Sequence, residues 1–427
     1  MRLAGLDRRL PRWRDVRPLV SFRTPRPGGR AAGLAAAASI DDLRVLAYRR
    51  APRAVFDYVD GGAGDETSLA RAREAFAAVE FRPRVLRNVA AVDLSTTILG
   101  RRATMPLAFG PTGFTRMMHA AGERAVARAA AREGLPYALS TMGTTSIEDL
   151  AAAAPNGTRW FQLYVWHDRA RSQDLVVRAH QAGYSALIVT VDVPVQGSRL
   201  RDTRNGLTIP PALSLRNLAG MARHPRWCFD ALTTEPLNFA TFDRAAPNTL
   251  SDLVATMFDA TVTFDDLDWL RATWPGRLVV KGLLTLADVT EAVRHGADAV
   301  VLSNHGGRQL DRTRVPLEFL PSVVDKVGDH VEILIDGGVR NGADVVAAVA
   351  LGARACLIGR AYLYGLMAGG EAGVVRATEL LRLDAMRTMQ LLGARTVAEL
   401  DASMVCQRSG PASHPRVALS ERRSSAN

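Results

Sequence analysis

Eight short apolar runs recur through the middle of the chain, at 106–110, 136–140, 160–165, 186–191, 278–282, 299–304, 331–336 and 355–360. Most are built on unbroken apolar stretches, as in Leu278-Val279-Val280 and Ala299-Val300-Val301-Leu302. A strand with one wet face alternates apolar and polar residues. An unbroken run implies burial on both faces, the condition of parallel strands covered by helices. One helical segment lies between most of the runs. Thr145 with Glu148, and Thr285 with Asp288, have the spacing of a helix-start capping box. Gly134, Gly183, Gly296, Gly328 and Gly352 fall where a helix should stop before the next run. Eight such units close a (β/α)8 TIM barrel, an α/β fold. An open doubly wound sheet is the competing architecture, but no G-x-G-x-x-G follows the first run.

The rhythm breaks once, between the fourth and fifth runs. A structureless loop of that length is uncommon in a compact domain. Residues 198–262 therefore read as an insertion over the barrel mouth, carrying Pro210-Pro211, Leu213, Leu215 and His224-Pro225-Arg226-Trp227-Cys228-Phe229. Two readings stand for it: a lid packed on its own barrel, or a surface that meets a membrane or a partner. Residues 1–38 read as a flexible basic arm, and order is expected from Ser39, a helix N-cap with Asp42 three residues on. A short helical extension then leads into the barrel domain at 39–400, and 401–427 form a C-terminal tail.

The net charge of +11 comes almost wholly from Arg, since Lys281 and Lys326 are the only lysines. Such an excess suits an anionic ligand or a lipid surface. No basic stripe interleaved with aromatics follows the Arg-rich first thirty residues, so nucleic acid is not expected as a partner. Cys228, Cys356 and Cys406 are scattered and odd in number, neither a disulfide framework nor a metal site. No histidine pair has metal-ligand spacing, and no metal is expected. No apolar stretch reaches 18 residues, so no membrane span is expected, and the N-terminus lacks the apolar run of a secretory signal.

In a barrel of this kind the chemistry sits at the C-terminal ends of the strands. The sixth run exits at Ser303-Asn304-His305-Gly306-Gly307-Arg308-Gln309-Leu310-Asp311. His305 can accept a proton near neutral pH, and Arg308 can grip a carboxylate with two parallel bonds. That pair suits oxidation of an acid with a hydroxyl on the adjacent carbon. Asp192, at the fourth exit, is the candidate to orient His305. Lys281, at the fifth, could face a flavin ring where it gains negative charge on reduction. Asp336-Gly337-Gly338-Val339-Arg340 and Gly359-Arg360 follow the last two runs, where barrels commonly hold a phosphate, with Arg340 and Arg360 as its partners. The first three exits offer Pro111-Thr112-Gly113, Ser140, and Gln162 with Tyr164, and Thr190 stands beside Asp192.

These residues closely resemble the FMN-dependent L-2-hydroxy-acid oxidising family, which includes glycolate oxidase, lactate oxidase, mandelate dehydrogenase and bacterial L-lactate dehydrogenases. The likeness runs from about residue 40 to 400. It is nearest to the actinobacterial respiratory L-lactate dehydrogenases at Pro52-Arg53-Ala54-Val55-Phe56-Asp57-Tyr58, Pro111-Thr112-Gly113-Phe114-Thr115-Arg116 and Gly359-Arg360-Ala361-Tyr362-Leu363-Tyr364-Gly365. The resemblance implies that His305 takes the substrate proton with Asp192 beside it. Whether that proton comes from the hydroxyl or the α-carbon stays open. Arg308 and Arg199 would hold the carboxylate, and Tyr58 and Tyr164 would hydrogen-bond the substrate.

FMN would lie against Pro111, Thr112 and Gly113, with Ser140, Gln162 and Thr190 at its polar edge and Lys281 at N1 and O2. Ser303 would touch the ribityl chain, and Asp336, Gly338, Arg340, Gly359 and Arg360 would surround the ribityl-phosphate end. Two departures bear on the pocket: plant glycolate oxidases have Trp at Met142 and Ala at Gly113. The implied activity is oxidation of an L-2-hydroxy acid, L-lactate foremost. Electrons would go to quinone or another external acceptor, or to oxygen in an oxidase. A mandelate-type dehydrogenase and a non-redox FMN-barrel isomerase are the competing readings. The resemblance also implies a homotetramer. The expected location is cytoplasmic, with peripheral contact at the inner face of the cell membrane through residues 198–240.

Overall fold

The computed structural model describes residues 12–17, 30–206, 223–235, 237, 240 and 258–408. Eight parallel strands close a barrel: β1 (Leu107–Phe109), β2 (Tyr137–Ser140), β3 (Arg159–Leu163), β4 (Ala186–Thr190), β5 (Arg277–Leu283), β6 (Ala299–Leu302), β7 (Glu332–Asp336) and β8 (Ala355–Ile358). Each matches an apolar run of the sequence to within two residues at either end. The burial pattern explains the unbroken apolar character. All five residues of β4 and all four of β6 are buried, because side chains on one face fill the barrel and those on the other meet helices. Neighbours pair in parallel around the ring, and β8 closes onto β1 through Leu357 and Ala108. The ladder slips between Lys281 and Leu283, at the tip of β5. A bulge at such a point re-aims a side chain, here Lys281, the one lysine on a barrel strand.

Local signals worked unevenly. Ser39 and Asp42 form a complete capping box, and the Thr285 side chain accepts from the Asp288 amide. The box expected at Thr145 is displaced by one residue: Ser146 caps the helix Ile147–Ala153 by accepting from the Asp149 amide. The Thr145 hydroxyl instead donates to Glu123 at 3.0 Å.

Both expected termini need correction. Within the arm of 1–38, Arg30–Ala36 is a helix, and Leu34 is buried against Gly369, at the kink where the backbone of Arg360–Leu392 breaks into two helices. Within the tail of 401–427, Val405–Gln407 is a strand paired antiparallel with Val79–Phe81. Residues 1–11, 18–29 and 409–427 lie outside the described residues. So does most of the insertion, whose described parts include the helices Leu200–Arg204 and Pro225–Thr233. Among the described residues no helix is long and apolar enough to cross a membrane.

Candidate active site

The cavity at the C-terminal mouth, about 670 Å³, takes lining residues from all eight strand exits. Cavities of this size hold drug-sized ligands. At the β6 exit the backbone of His305 enters the left-handed region, with φ +58°. Such a conformation costs energy outside glycine and persists only where neighbours enforce it. The enforcement is visible. The His305 amide donates to Ser303 Oγ at 3.0 Å, and the imidazole Nδ1 meets Asp192 Oδ1 at 2.9 Å. With a carboxylate on Nδ1, that nitrogen carries the proton and Nε2 presents its lone pair.

A buried ion cluster surrounds this base. Lys281 Nζ donates to Ser303 Oγ at 2.8 Å and pairs with Asp336 at 3.0 Å. Burial opposes the lysine charge, but Asp336 and Asp192 outweigh it and raise Lys281 above the ordinary lysine value. Burial likewise opposes the Asp192 charge, yet His305 and Lys281 hold its carboxyl below the usual range. For His305 burial wins over Asp192 and draws the imidazole below 6.5. Two carboxylates against one ammonium leave one excess negative charge while the imidazole is neutral. Protonating His305 cancels it, so Asp192 and Asp336 offset part of the cost that burial sets on the imidazolium.

On another wall the Tyr58 ring has guanidinium carbons close by, Arg308 at 4.8 Å and Arg199 at 5.7 Å from its centroid. Arg308 is aimed by donating to the carbonyls of Tyr58 and Gly61. Burial and the like charge of Arg199 pull Arg308 down to about 9. The side-chain Nε of Arg199 is buried without a hydrogen-bond partner. Two desolvated cations facing one space form a receptor for an anion. Tyr164 completes this wall, its hydroxyl pushed up by burial.

The remaining residues test the fit of FMN. Pro111, Thr112, Gly113, Ser140, Lys281, Asp336, Gly338, Arg340, Gly359 and Arg360 line the cavity. Gln162, Thr190, Ser303 and Asp192 lie behind its wall, and Thr190 borders a second cavity of about 290 Å³. Gln162 Nε2 and Thr190 Oγ1 are buried without partners, as are Asp336 Oδ1 and Asp192 Oδ2. Buried polar groups are almost always paired, so these orphans argue for a polar ligand. At the β7 exit Gly337 and Gly338 have φ +90° and +91°, and a Cβ on Gly338 would stand 2.6 Å from the Ala72 carbonyl. Arg73, Arg340 and Arg360 gather beside this turn. Arg360 gives three N–H groups to the carbonyls of Val59, Gly306 and Gly61, leaving two for a ligand. The residues present fit FMN: an apolar and glycine-lined face, orphaned polar atoms at one edge and cations at the far end.

Gly113 sets the thickness of one wall. A Cβ there would lie 2.8 Å from Met142 Cβ, and the Met142 carbonyl already accepts from the Phe114 amide at 3.0 Å. Gly113→Ala is expected to destabilise the flavin-loaded protein by about 1–3 kcal/mol, as overpacking does. Thermal unfolding checks this. A second substitution Met142→Gly should restore the midpoint and Met142→Ala should not, because Cβ itself is the obstacle.

Several site residues had no sequence signal. Glu123 is fully buried and accepts from the amides of Thr115 and Thr144 and the hydroxyls of Thr144 and Thr145. It thereby ties the β1 exit to the β2 exit. Arg73 reaches the cavity from the helix Thr67–Ala77, bonded to the Gly338 carbonyl and to Asp344. Asp202 and Phe258 also line it. The end of the β6 motif turns out to be latches. Gln309 donates to the carbonyls of Asp192 and Val195, and Asp311 accepts from the amides of Asp65, Thr67 and Ser68.

Taking a proton from a small acid held by its carboxylate, against an aromatic redox ring, is the work of flavin-dependent 2-hydroxy-acid oxidoreductases, and the chain is one of these enzymes. More particularly, it belongs to the FMN-dependent dehydrogenase family, whose model matches residues 47–407. A Mycobacterium tuberculosis protein, named provisionally as an L-lactate dehydrogenase, is 55% identical over 96% of this chain and 100% of its own length. The L-lactate dehydrogenase of Caulobacter vibrioides is 43% identical over 87% of this chain and 98% of that one. Among solved structures, a monotopic membrane protein, (S)-mandelate dehydrogenase, superposes with a TM-score of 0.84 at 40% identity, covering 87% of this chain and 100% of that one.

Proposed function

We propose that the protein oxidises L-lactate to pyruvate and passes the electrons to quinone or another external acceptor. The observation that carries this reading is the convergence of His305, Arg308 and Arg199 on one cavity that also fits FMN. Two relatives carry the L-lactate dehydrogenase name, one only provisionally. Arg308 and Arg199 bind the substrate carboxylate and fix its orientation. Tyr58 and Tyr164 hydrogen-bond the bound acid. His305 Nε2 accepts a substrate proton, and Asp192 stabilises the resulting imidazolium. Arg340, Arg360 and the Gly337–Gly338 turn would hold the phosphate end of FMN, while Ser140, Gln162 and Thr190 would supply polar groups toward the edge of its ring. FMN, when bound, supplies the two-electron acceptor. The test is anaerobic mixing of the yellow protein with L-lactate, glycolate and L-mandelate. Bleaching fastest with L-lactate is expected; bleaching by none of them overturns the reading.

We further propose that the protein acts at a membrane surface. The helix Pro225–Thr233 is fastened by Trp227, whose indole N–H donates to the Met117 carbonyl at 3.0 Å. It exposes Phe229 at 65% and Leu232 at 82%. A solved relative, (S)-mandelate dehydrogenase, is described as a monotopic membrane protein. Phe229→Asp with Leu232→Asp should abolish co-sedimentation with anionic vesicles while L-lactate still bleaches the flavin. Undiminished sedimentation would remove this part of the proposal.

A further inference from the structure

One charged group in the cavity wall has no part in the chemistry above. Asp202 sits in the first turn of the helix Leu200–Arg204 and lines the cavity beside Arg199 and Arg308. An acid in a helix's first turn is commonly a surface group that complements the helix dipole. Asp202 is not on the surface. Its side chain is 16% exposed, its Oδ2 lies 3.9 Å from Arg199 NH1, and Arg308 acts on it most strongly among its neighbours. The other charges that face it, Asp57 and Arg201, are already balanced. Asp57 meets Arg53 at 3.2 Å and accepts from Asn205 at 2.8 Å, and Arg201 meets Asp60 at 3.1 Å and also pairs with Glu66.

The charge count is therefore local. The two guanidinia and one carboxylate of this wall sum to +1, and Arg360, the next cation to act on Arg308, is offset by the excess negative charge of the Asp192–Lys281–Asp336 cluster. One substrate carboxylate brings it to zero. A second carboxylate would leave an excess negative charge in a desolvated wall, where like charges repel strongly. We propose that Asp202 is a specificity-determining residue that restricts the enzyme to 2-hydroxy acids with a single carboxylate. This rests on the 2-hydroxy-acid reading of the same site and adds the class it rejects. Burial also raises the Asp202 carboxyl, in keeping with a charge held at a cost for want of a full partner.

The experiment compares ligands of equal shape and unequal charge. Succinate and succinamate differ by one charge and carry no hydroxyl to oxidise, so calorimetry on the FMN-loaded protein reads binding alone. L-malate and its 4-carboxamide make the same comparison through anaerobic flavin bleaching. The wild type should favour the amide of each pair by at least about tenfold. Asp202→Asn should bring both ratios toward one, and Asp202→Glu should keep the wild-type preference. A purely structural role would lower both members of a pair together and leave the ratio unchanged, which overturns the proposal. A wild-type ratio near one overturns it without any variant. Failure of the underlying reading has a different signature: no 2-hydroxy acid bleaches the flavin, whatever calorimetry shows for the succinate pair.

Discussion

His305→Gln is expected to give a protein that still binds FMN but that L-lactate reduces about 100- to 10,000-fold more slowly, the usual contribution of a positioned general base. Glutamine can still bond Asp192, and the His305 backbone amide keeps its bond to Ser303 whatever the side chain. The turn should therefore persist, and a loss of rate with flavin retained would isolate the base. Stopped-flow reduction under anaerobic conditions measures it; a slowing of less than tenfold removes His305 from its role. The pH profile supplies an independent mark. The base must be neutral to act, and burial draws its pKa below 6.5. kcat/KM should then be flat through neutral pH and fall only as pH drops through that lowered value. An acid limb centred above 6.5 would mean that Asp192, rather than burial, sets the imidazole.

The parts of this site that were legible in sequence share a physical cause. Buried strands must be apolar, so the eight runs announce the barrel. A polar group at the end of such a run stands at the mouth, which is why His305, Asp192 and Lys281 could be placed. What was not legible depends on packing between elements distant in the chain. Nothing in the sequence around Glu123 says that two exit loops will fold onto it. Arg73 looks like any helical arginine until its helix docks beside Gly338. Val405–Gln407 is too short to carry a period-two signal and is a strand only because Val79–Phe81 lies beside it. Thr145 had the spacing of a cap, but Glu123 claimed its hydroxyl and Ser146 took the position. Arg199 became a candidate through resemblance alone, and Asp202, three residues on, was not singled out.

Arg308→Met should weaken L-lactate binding by about 30-fold to several thousand-fold, the effect of removing one partner from a buried, hydrogen-bonded charge pair. Methionine keeps the unbranched apolar stem of the side chain, so the wall should remain largely filled. Loss of the bonds to the Tyr58 and Gly61 carbonyls weakens the tie to the helix Arg53–Asp60. Against that, Arg199 is relieved of a like charge at close range, the interaction that with burial pulls Arg308 down to about 9. The two effects oppose each other in stability and not in binding, so the unfolding temperature should move little while affinity falls steeply. Arg308→Lys separates charge from geometry. An ammonium keeps the charge but cannot form the two parallel bonds of a planar fork. Its affinity for L-lactate should lie between those of wild type and Arg308→Met. If lysine restores binding fully, the carboxylate is held by charge alone and the fork has no role. If Arg308→Met binds L-lactate as the wild type does, the carboxylate lies elsewhere, and Arg199 with Asp202 would have to be reconsidered as a structural pair.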